Sequence, residues 1–319
     1  MLNKALSFAT DRVCERFGVP VTLRRFLAGQ APGLQVQLEP TPDALWLGSV
    51  PRWHEWGQAG QIHGEAFQAG EVTGWSAGRH FGYHATREVL PDLAGFGSCV
   101  RTPRWRCDIQ DVTGLQASKS ELLKFDSLDA LAQRGARSMV SEVTRSKLSA
   151  LLAHRDLRFL RQPKASEHFV RHLWDGRLFV ANSGGTLRFA AARWIAGRIG
   201  LPVPLCAELH SGSIEPLAVS GLRRNYELFA VSTRDAALAI GLHEALRRLR
   251  APYFSKPLPA PYTDAQALFL PRDDKRALAA AAELRAAGLP DLGKHLSALV
   301  LRQHMNLVRQ GEGAQALAA

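Results

Sequence analysis

The chain has 319 residues, of which 46% are hydrophobic, and its 40 Lys and Arg residues exceed its 29 Asp and Glu residues to give a net charge of +11. This hydrophobic fraction excludes an intrinsically disordered chain, and the length is sufficient for one large domain or two smaller ones. No apolar run is long enough to cross a bilayer, so no membrane partner is expected, and the excess of positive charge favours an anionic partner, nucleic acid first.

The cysteines and the N-terminal residues predict a cytoplasmic protein. Cys14, Cys99, Cys107 and Cys206 have no paired C-x-x-C spacing, which is typical of reduced intracellular thiols. The first 19 residues carry charges from Lys4 to Arg16 and lack the apolar run of a signal peptide.

The composition predicts three consecutive sections. Residues 1–136 are rich in Gly, Pro and Trp and contain short alternating runs, which indicates a loop-rich, largely β section. Residues 137–250 combine strand and helix patterns, which predicts an α/β domain. Residues 251–319 begin with a proline-rich connection, residues 251–263, and continue as helices. The predicted fold class is therefore α/β of the mixed α+β kind.

The segment Asp175–Leu209 predicts an anion site. It contains a strand (Leu178–Ala181), a Gly184–Gly185 turn, a helix (about Thr186–Ile199) and a second strand (Val203–Glu208). Glycines before a helix leave backbone N–H groups open at the helix N-terminus, which binds anions. Arg188 falls in the first turn, where the macrodipole disfavours a cation unless an anion is its partner. A plain strand–turn–helix with a solvated Arg188 is the alternative.

The same stretch resembles the ParB/sulfiredoxin-like family. The resemblance rests on Gly184, Gly185 and Arg188, on the alanines 190–192, and on Pro202–Pro204, with Leu157–Pro163 resembling the family's first box. It covers about residues 150–210 and implies a central ParB/sulfiredoxin-like unit that binds a nucleotide. Sulfiredoxins carry their catalytic cysteine where this chain has Thr186, which cannot form a thiolate, so sulfiredoxin activity is not expected. Leu187 replaces the family's first basic residue.

The predicted phosphate or nucleotide site combines this turn with arginines from the first box. Its residues are Asn182, Ser183, Gly184, Gly185, Thr186, Arg188, Arg158 and Arg161. Residues 145–200 hold eleven Lys and Arg against three carboxylates, a net charge of +8, and we call this segment the basic block. Because the block contains the predicted site, it favours a phosphate-rich ligand.

Two further sets of residues are candidates for chemistry. His210 follows the second strand beside serines, where it can act as a general base with Glu215 as its acid or orienting partner; an ordinary turn is the alternative. His168 and His172 are four residues apart on a predicted helix, a spacing found in metal sites, although two ordinary surface histidines are the favoured interpretation and no metal site is predicted.

These observations predict a nucleotide- or phosphate-binding protein that acts on or near nucleic acid, as a nucleoside triphosphate-dependent regulator, an NTPase or a nuclease. The expected cofactor is a nucleoside triphosphate with Mg²⁺, and the sequence fixes neither the nucleotide nor the oligomeric state. The alternative is a non-enzymatic interaction or regulatory module with a degenerate pocket, which Leu187 favours.

Overall fold

A computed structural model describes residues 13–38, 45–62, 65–77, 82–116, 122–160 and 167–316. Its strands, numbered in chain order, are β1 (Gly60–Ile62), β2 (Glu65–Phe67), β3 (Glu71–Ala77), β4 (Tyr83–Val89), β5 (Gly97–Asp108), β6 (Val112–Leu115), β7 (His168–His172), β8 (Leu178–Ala181), β9 (Pro204–Ile214), β10 (Tyr226–Ser232), β11 (Tyr253–Pro257) and β12 (Ala265–Pro271). The α-helices are α1 (Val21–Gln30), α2 (Pro91–Ala94), α3 (Leu128–Gly135), α4 (Arg145–Ala153), α5 (Thr186–Ile199), α6 (Pro216–Asn225), α7 (Ala236–Leu249), α8 (Lys275–Ala286) and α9 (Leu292–Ala316).

The chain folds into two compact units, each built from segments that are distant in sequence. The first unit comprises Met1–Leu38, Glu55–Gly97 and Glu215–Val300. The second unit comprises Glu39–His54, Ser98–Ile214 and Leu301–Ala319. The structure therefore divides the chain differently from the three predicted sections, whose boundaries at residues 136 and 250 fall inside units. Non-local packing produces this interleaving, and local composition carries no signal of it.

The first unit contains an antiparallel five-stranded sheet in the order β10-β12-β11-β3-β4. Alternate residues of its central strands, such as Leu268 and Leu270 of β12, point into a core that is shared with α1, α7 and α8. Asp235 caps α7 and Asp274 caps α8, since their carboxylates accept hydrogen bonds from the first-turn N–H groups.

The second unit contains a mixed five-stranded sheet in the order β5-β9-β7-β8-β6. Strand β7 runs parallel to β9 and antiparallel to β8, and β8 runs parallel to β6. Phe169, Val180 and Leu209 project from one face into a core that includes residues of α3, α4 and α5. Val170 and Phe179, which are the chain neighbours of Phe169 and Val180, point to the opposite face and pack there with Val50. Strand alternation therefore separates an α-covered face from a second face, to which the even-numbered residues of β7 and β9 belong.

The mixed α/β class is confirmed, as are the strand Leu178–Ala181 and the helix Thr186–Ile199. Three local predictions are wrong. The supposed helix that carries His168 and His172 is strand β7, because its residues find partners in β8 and β9. The strand expected to end at Glu208 continues through His210 to Ile214. The stretch 251–271, predicted as a connection followed by helix, contains β11 and β12, whose apolar residues form sheet core.

Candidate functional site

The loop that precedes α5 is held in shape by its own side chains. Asn182 is buried, and its Nδ2 donates hydrogen bonds to the carbonyl oxygen of Gly184 at 2.8 Å and to Oγ1 of Thr186 at 3.1 Å. The hydroxyl of Ser183 donates to Oε1 of Glu167 at 2.6 Å. The predicted ligands Asn182, Ser183 and Thr186 therefore make intramolecular contacts that build the loop.

The two glycines of this loop have different roles. Gly185 has a left-handed φ of +76°, and a Cβ on it would lie 2.4 Å from the carbonyl oxygen of Asp156, so this position requires glycine. A Cβ on Gly184 would meet nothing within 4 Å, so the space beside the loop is open at that residue.

Helix α5 begins without a side-chain cap. Gly185 occupies the N-cap position, no side chain accepts a hydrogen bond as a cap there, and the first turn contains no acidic residue. Thr186 is the first helical residue, so its hydroxyl contacts Asn182 and does not cap the helix. The N–H groups of the first turn, which have no carbonyl partner within a helix, are the feature of this loop that is suited to an anion.

Arg188 has a carboxylate partner within the protein. Its Nη1 donates to Oδ2 of Asp156, and both side chains are about a third exposed. Asp156 lies in the 3-10 turn Arg155–Leu160, which also contains the backbone of Arg158; the contacts of the Arg158 side chain and all of Arg161 lie outside the described residues. The carboxylate of Asp156 is thus an anionic partner for Arg188 in the first turn of α5, where the helix dipole disfavours a cation.

A histidine pair and a carboxylate lie at the same end of the sheet as this loop. The rings of His168 and His210 stack with their centroids 3.8 Å apart, and Nε2 of His210 lies 3.0 Å from Oε2 of Glu208. The hydrogen bond to His210 lowers the pKa of the Glu208 carboxyl. His168 pairs with Ala181, the last residue of β8, so strand register brings the histidine pair close to the start of the loop.

The predicted partnership of His210 with Glu215 is not formed. Glu208 takes that place, because residues two apart on a strand share a face. Glu215 belongs to the first unit, where its Oε1 accepts a hydrogen bond from the backbone N–H of Leu217 and caps α6.

His168 and His172 do not form a metal pair. His172 lies at the other end of β7 and is buried against Trp174 and His54, with ring centroids 4.9 and 5.0 Å away. Burial first, and then the charges of His54, Arg52 and Arg177, lower the pKa of His172 to about 3. Within the described ranges, no cluster of three or more His, Cys, Asp or Glu residues is arranged to hold a metal ion.

The sequence analysis missed the contacts of these histidines. His54 lies more than a hundred residues from His172, so no local pattern connects the two. The spacing His168–Val170–His172 does contain a signal, because on a strand it places all three side chains on one face. The interpretation of this stretch as a helix concealed that signal.

Several arginines of the basic block have partners inside the second unit. Arg177 pairs with Asp175 at 2.8 Å, and Arg193 pairs with Asp129 at 2.5 Å. The guanidinium of Arg171 lies 5.1 Å from the ring centre of Trp105, and burial lowers its pKa. A substantial part of the positive charge of the block therefore serves packing within the unit.

Comparison with known proteins gives one match. Residues 102–309, about two thirds of the chain, match the model of a family described as "Family of unknown function (DUF6685)". No curated protein and no solved structure matches the chain significantly. None of these comparisons bears on the ParB/sulfiredoxin-like family, so that resemblance stays a prediction. Within the part of the chain that the structure describes, no helix has the length and apolarity needed to traverse a bilayer.

Proposed function

The chain belongs to the DUF6685 family, and we propose that it binds a phosphate group, of a nucleotide in particular, at the loop Asn182–Thr186. One observation carries the proposal: the 14-residue helix α5 starts directly after two glycines and has no side-chain cap. The N-terminal end of such a helix attracts an anion, because its backbone N–H groups and its macrodipole present positive charge there. The open space beside Gly184 leaves room for a phosphate to approach.

Arg188 supplies the second contact by exchanging partners. It is paired with Asp156, and both side chains keep about a third of their surface in solvent. Phosphate offers more charge and more acceptor oxygens than a carboxylate, and a guanidinium can bind two of them at once. Asp156 is therefore an internal competitor for the site.

In this proposal His210 is the general acid or base for turnover of the bound nucleotide. Its Nε2 is oriented by Glu208, and its ring stacks on His168 at the end of the sheet from which the loop starts. A histidine that a carboxylate orients is suited to proton transfer. The basic block extends the proposal to a nucleic-acid partner, for which binding must weaken as salt rises.

A panel of nucleoside triphosphates, each with and without Mg²⁺, tests the proposal. A ligand at a hundredfold excess over its Kd raises the free energy of unfolding by about 2.7 kcal/mol, which a thermal-shift assay detects. For the best ligand, calorimetry on Arg188→Ala is expected to show a loss of about 1.5–3 kcal/mol of binding free energy.

The matched control is Arg198→Ala. Arg198 is exposed near the other end of the same helix, so this variant loses the same charge away from the loop. Equal binding by Arg188→Ala and wild type, or equal losses in both variants, rejects the loop as the site.

The ion pair itself favours a second candidate function. In a non-enzymatic interaction or regulatory module, Asp156 would occupy Arg188 permanently and no phosphate would enter. A nucleotide panel without any thermal shift, together with an intact fold, supports this second function.

A further inference from the structure

A separate cleft in the first unit is lined with arginines. Its volume is about 480 Å³, and its lining includes Arg16, Arg247, Arg248, Arg250 and Arg276. The other described lining residues are Val13 and Glu15. Among the residues that the structure describes, five arginines and one glutamate thus line this cavity.

Two carboxylates near the cleft arginines have partners. Glu15 is buried, and its Oε1 accepts a hydrogen bond from the backbone N–H of Thr22 at 3.1 Å. Glu244 is bound to Arg247, whose Nη2 lies 2.7 Å from Oε2, and this hydrogen bond lowers the pKa of Glu244. Glu244 therefore offsets the charge of Arg247, but the other four arginines outnumber Glu15, so the described lining keeps a positive charge, which low-dielectric walls concentrate.

Three separate segments build the cleft. Arg247 and Arg248 belong to the last turn of α7, and Arg250 follows as the C-cap residue. Arg276 is in the first turn of α8, and its Nη2 donates to the carbonyl oxygen of Arg16 at 3.1 Å, which fixes the helical turn 13–16 beside α8.

Two of these arginines occupy positions that helix chemistry disfavours. A cation in the first turn of α8 opposes the helix dipole. Arg250 has a left-handed φ of +57° at a C-cap, a conformation that usually selects Gly or Asn. The dipole of α7 stabilises the positive charges of Arg247 and Arg248, because both lie in the last turn of that helix. It stabilises neither the charge of Arg276 nor the left-handed backbone of Arg250. An anionic ligand in the cleft offsets the repulsion among these side chains, because each guanidinium group can then contribute to one binding site.

We propose that this cleft binds a small ligand that contains two or more linked phosphate groups. Arginine binds phosphate oxygens in a planar, two-pronged geometry, and several arginines together match the charge of a polyphosphate. The volume of the cleft lies within the range of about 300–1,000 Å³ that is typical of small-molecule sites. The arginines converge on one cavity, whereas a nucleic-acid strand requires a track along a surface. The cleft shares no residue with the loop before α5, so the two sites can be tested separately.

Calorimetric titration of the full chain with inorganic tripolyphosphate is the test. We expect Arg276→Ala and Arg248→Ala each to raise the Kd of the cleft about tenfold or more, since each removes charge-assisted hydrogen bonds. Arg276→Lys is expected to lose less than Arg276→Ala, because the charge remains while the planar fork is lost. Arg198→Ala, in the second unit, is the control of equal charge and should bind as wild type does.

One further variant, a change of salt and one further ligand separate the outcomes. If only Arg188→Ala weakens binding, tripolyphosphate occupies the loop before α5; the cleft proposal is then wrong and the proposed function gains support. If all the alanine variants weaken binding equally, or binding disappears at about 0.15 M salt, the attraction is diffuse and the cleft proposal is also wrong. If a single-stranded oligonucleotide displaces tripolyphosphate and binds more tightly per phosphate, the ligand is nucleic acid and the proposal of a small ligand fails.

Arginine modification of the wild-type protein gives an answer that does not depend on the folding of any variant. Phenylglyoxal reacts with accessible arginines, and mass spectrometry locates the products. Tripolyphosphate is expected to protect Arg16, Arg248 and Arg276 severalfold while Arg198 reacts at its unliganded rate. Equal reaction of Arg276 and Arg198 in the presence of the ligand overturns the proposal. Comparison with ATP and with inositol hexakisphosphate then distinguishes a nucleotide from other polyphosphates.

Discussion

The two arginine-rich regions of this protein differ in what surrounds the guanidinium groups. In the second unit, arginines of the basic block are matched with carboxylates, as in Arg188–Asp156 and Arg193–Asp129. In the first unit, five arginines from three described segments line one cleft with Glu15, and one of them, Arg247, is bound to Glu244. Several arginines that the net charge of the sequence highlights are thus paired within the second unit, whereas the cleft arginines come together from separate segments.

The largest expected effect is at Gly185. Gly185 packs closely against the backbone of Asp156, and the carboxylate of Asp156 is bound to Arg188. Gly185→Ala combines a left-handed φ with a Cβ that collides with the Asp156 carbonyl, so we expect a loss of about 2–5 kcal/mol of unfolding free energy. Denaturant unfolding measures it. Gly184→Ala is the matched control and should stay within about 0.5 kcal/mol of wild type, because its Cβ meets nothing within 4 Å. Equal effects of the two substitutions would contradict the loop geometry.

Arg193 tests whether arginines of the basic block are structural. Its guanidinium is 18% exposed and donates to the carbonyl oxygens of Val112 and Gln110 as well as to Asp129. Arg193→Ala leaves those acceptors without a donor, so we expect a loss of about 2–3 kcal/mol in denaturant unfolding. Arg198→Ala, on the same helix, should change stability by less than about 1 kcal/mol, because it loses the exposed contact of its guanidinium group with Trp194, 5.2 Å from the ring centre. A silent Arg193→Ala would show that the pairing does not stabilise the unit.

His172 makes the stability of the second unit depend on pH. Its pKa falls from 6.5 to about 3 on folding, chiefly through burial. Between these values the unfolded chain binds one more proton than the folded chain, so stability decreases as pH falls below 6.5. The slope is about 1.4 kcal/mol per pH unit, or about 2 kcal/mol between pH 6.5 and 5.

Denaturant unfolding of His172→Leu across that range measures this contribution. The substitution should flatten the pH dependence, and His304→Leu, at an exposed position of α9, should leave it as in wild type. Parallel pH profiles for wild type and His172→Leu would exclude His172 as the source.

The smallest expected effect concerns the cleft arginines. Arg16 is exposed and shares the cleft with four other guanidinium groups, so Arg16→Ala relieves like-charge repulsion. We expect stability between that of wild type and a gain of about 0.5 kcal/mol. Tripolyphosphate should then raise the thermal midpoint of wild type more than that of the variant. A clear loss of stability in Arg16→Ala would show that Arg16, like Arg193, stabilises the fold.

Local signals predicted part of the fold and part of the site. The bounds of the strand Leu178–Ala181 and the helix Thr186–Ile199 follow from apolar runs that a glycine pair separates. The stretch His168–His172 was misjudged, because a short run of aromatic, β-branched and basic residues fits both a helix and a strand until its neighbours β8 and β9 are known.

The missing parts of the site depend on contacts that are distant in sequence. Asp129 meets Arg193 across 64 positions, and Asp156 meets Arg188 across 32. Such pairs decide whether an arginine is available to a ligand, yet nothing near Arg188 or Arg193 in the chain identifies the partner. The same holds for the cleft, whose arginines come from residues 16, 247–250 and 276.

If the loop before α5 binds phosphate, Asp156 competes with that phosphate for Arg188. Calorimetric titration of Asp156→Asn with the best nucleoside triphosphate measures this competition, because the substitution removes the competing charge and keeps the shape of the side chain. We expect binding about tenfold tighter than in wild type, and we expect Arg188→Ala to abolish this gain when it is added. Unchanged or weaker binding by Asp156→Asn would show that the loop and Arg188 do not form a phosphate site.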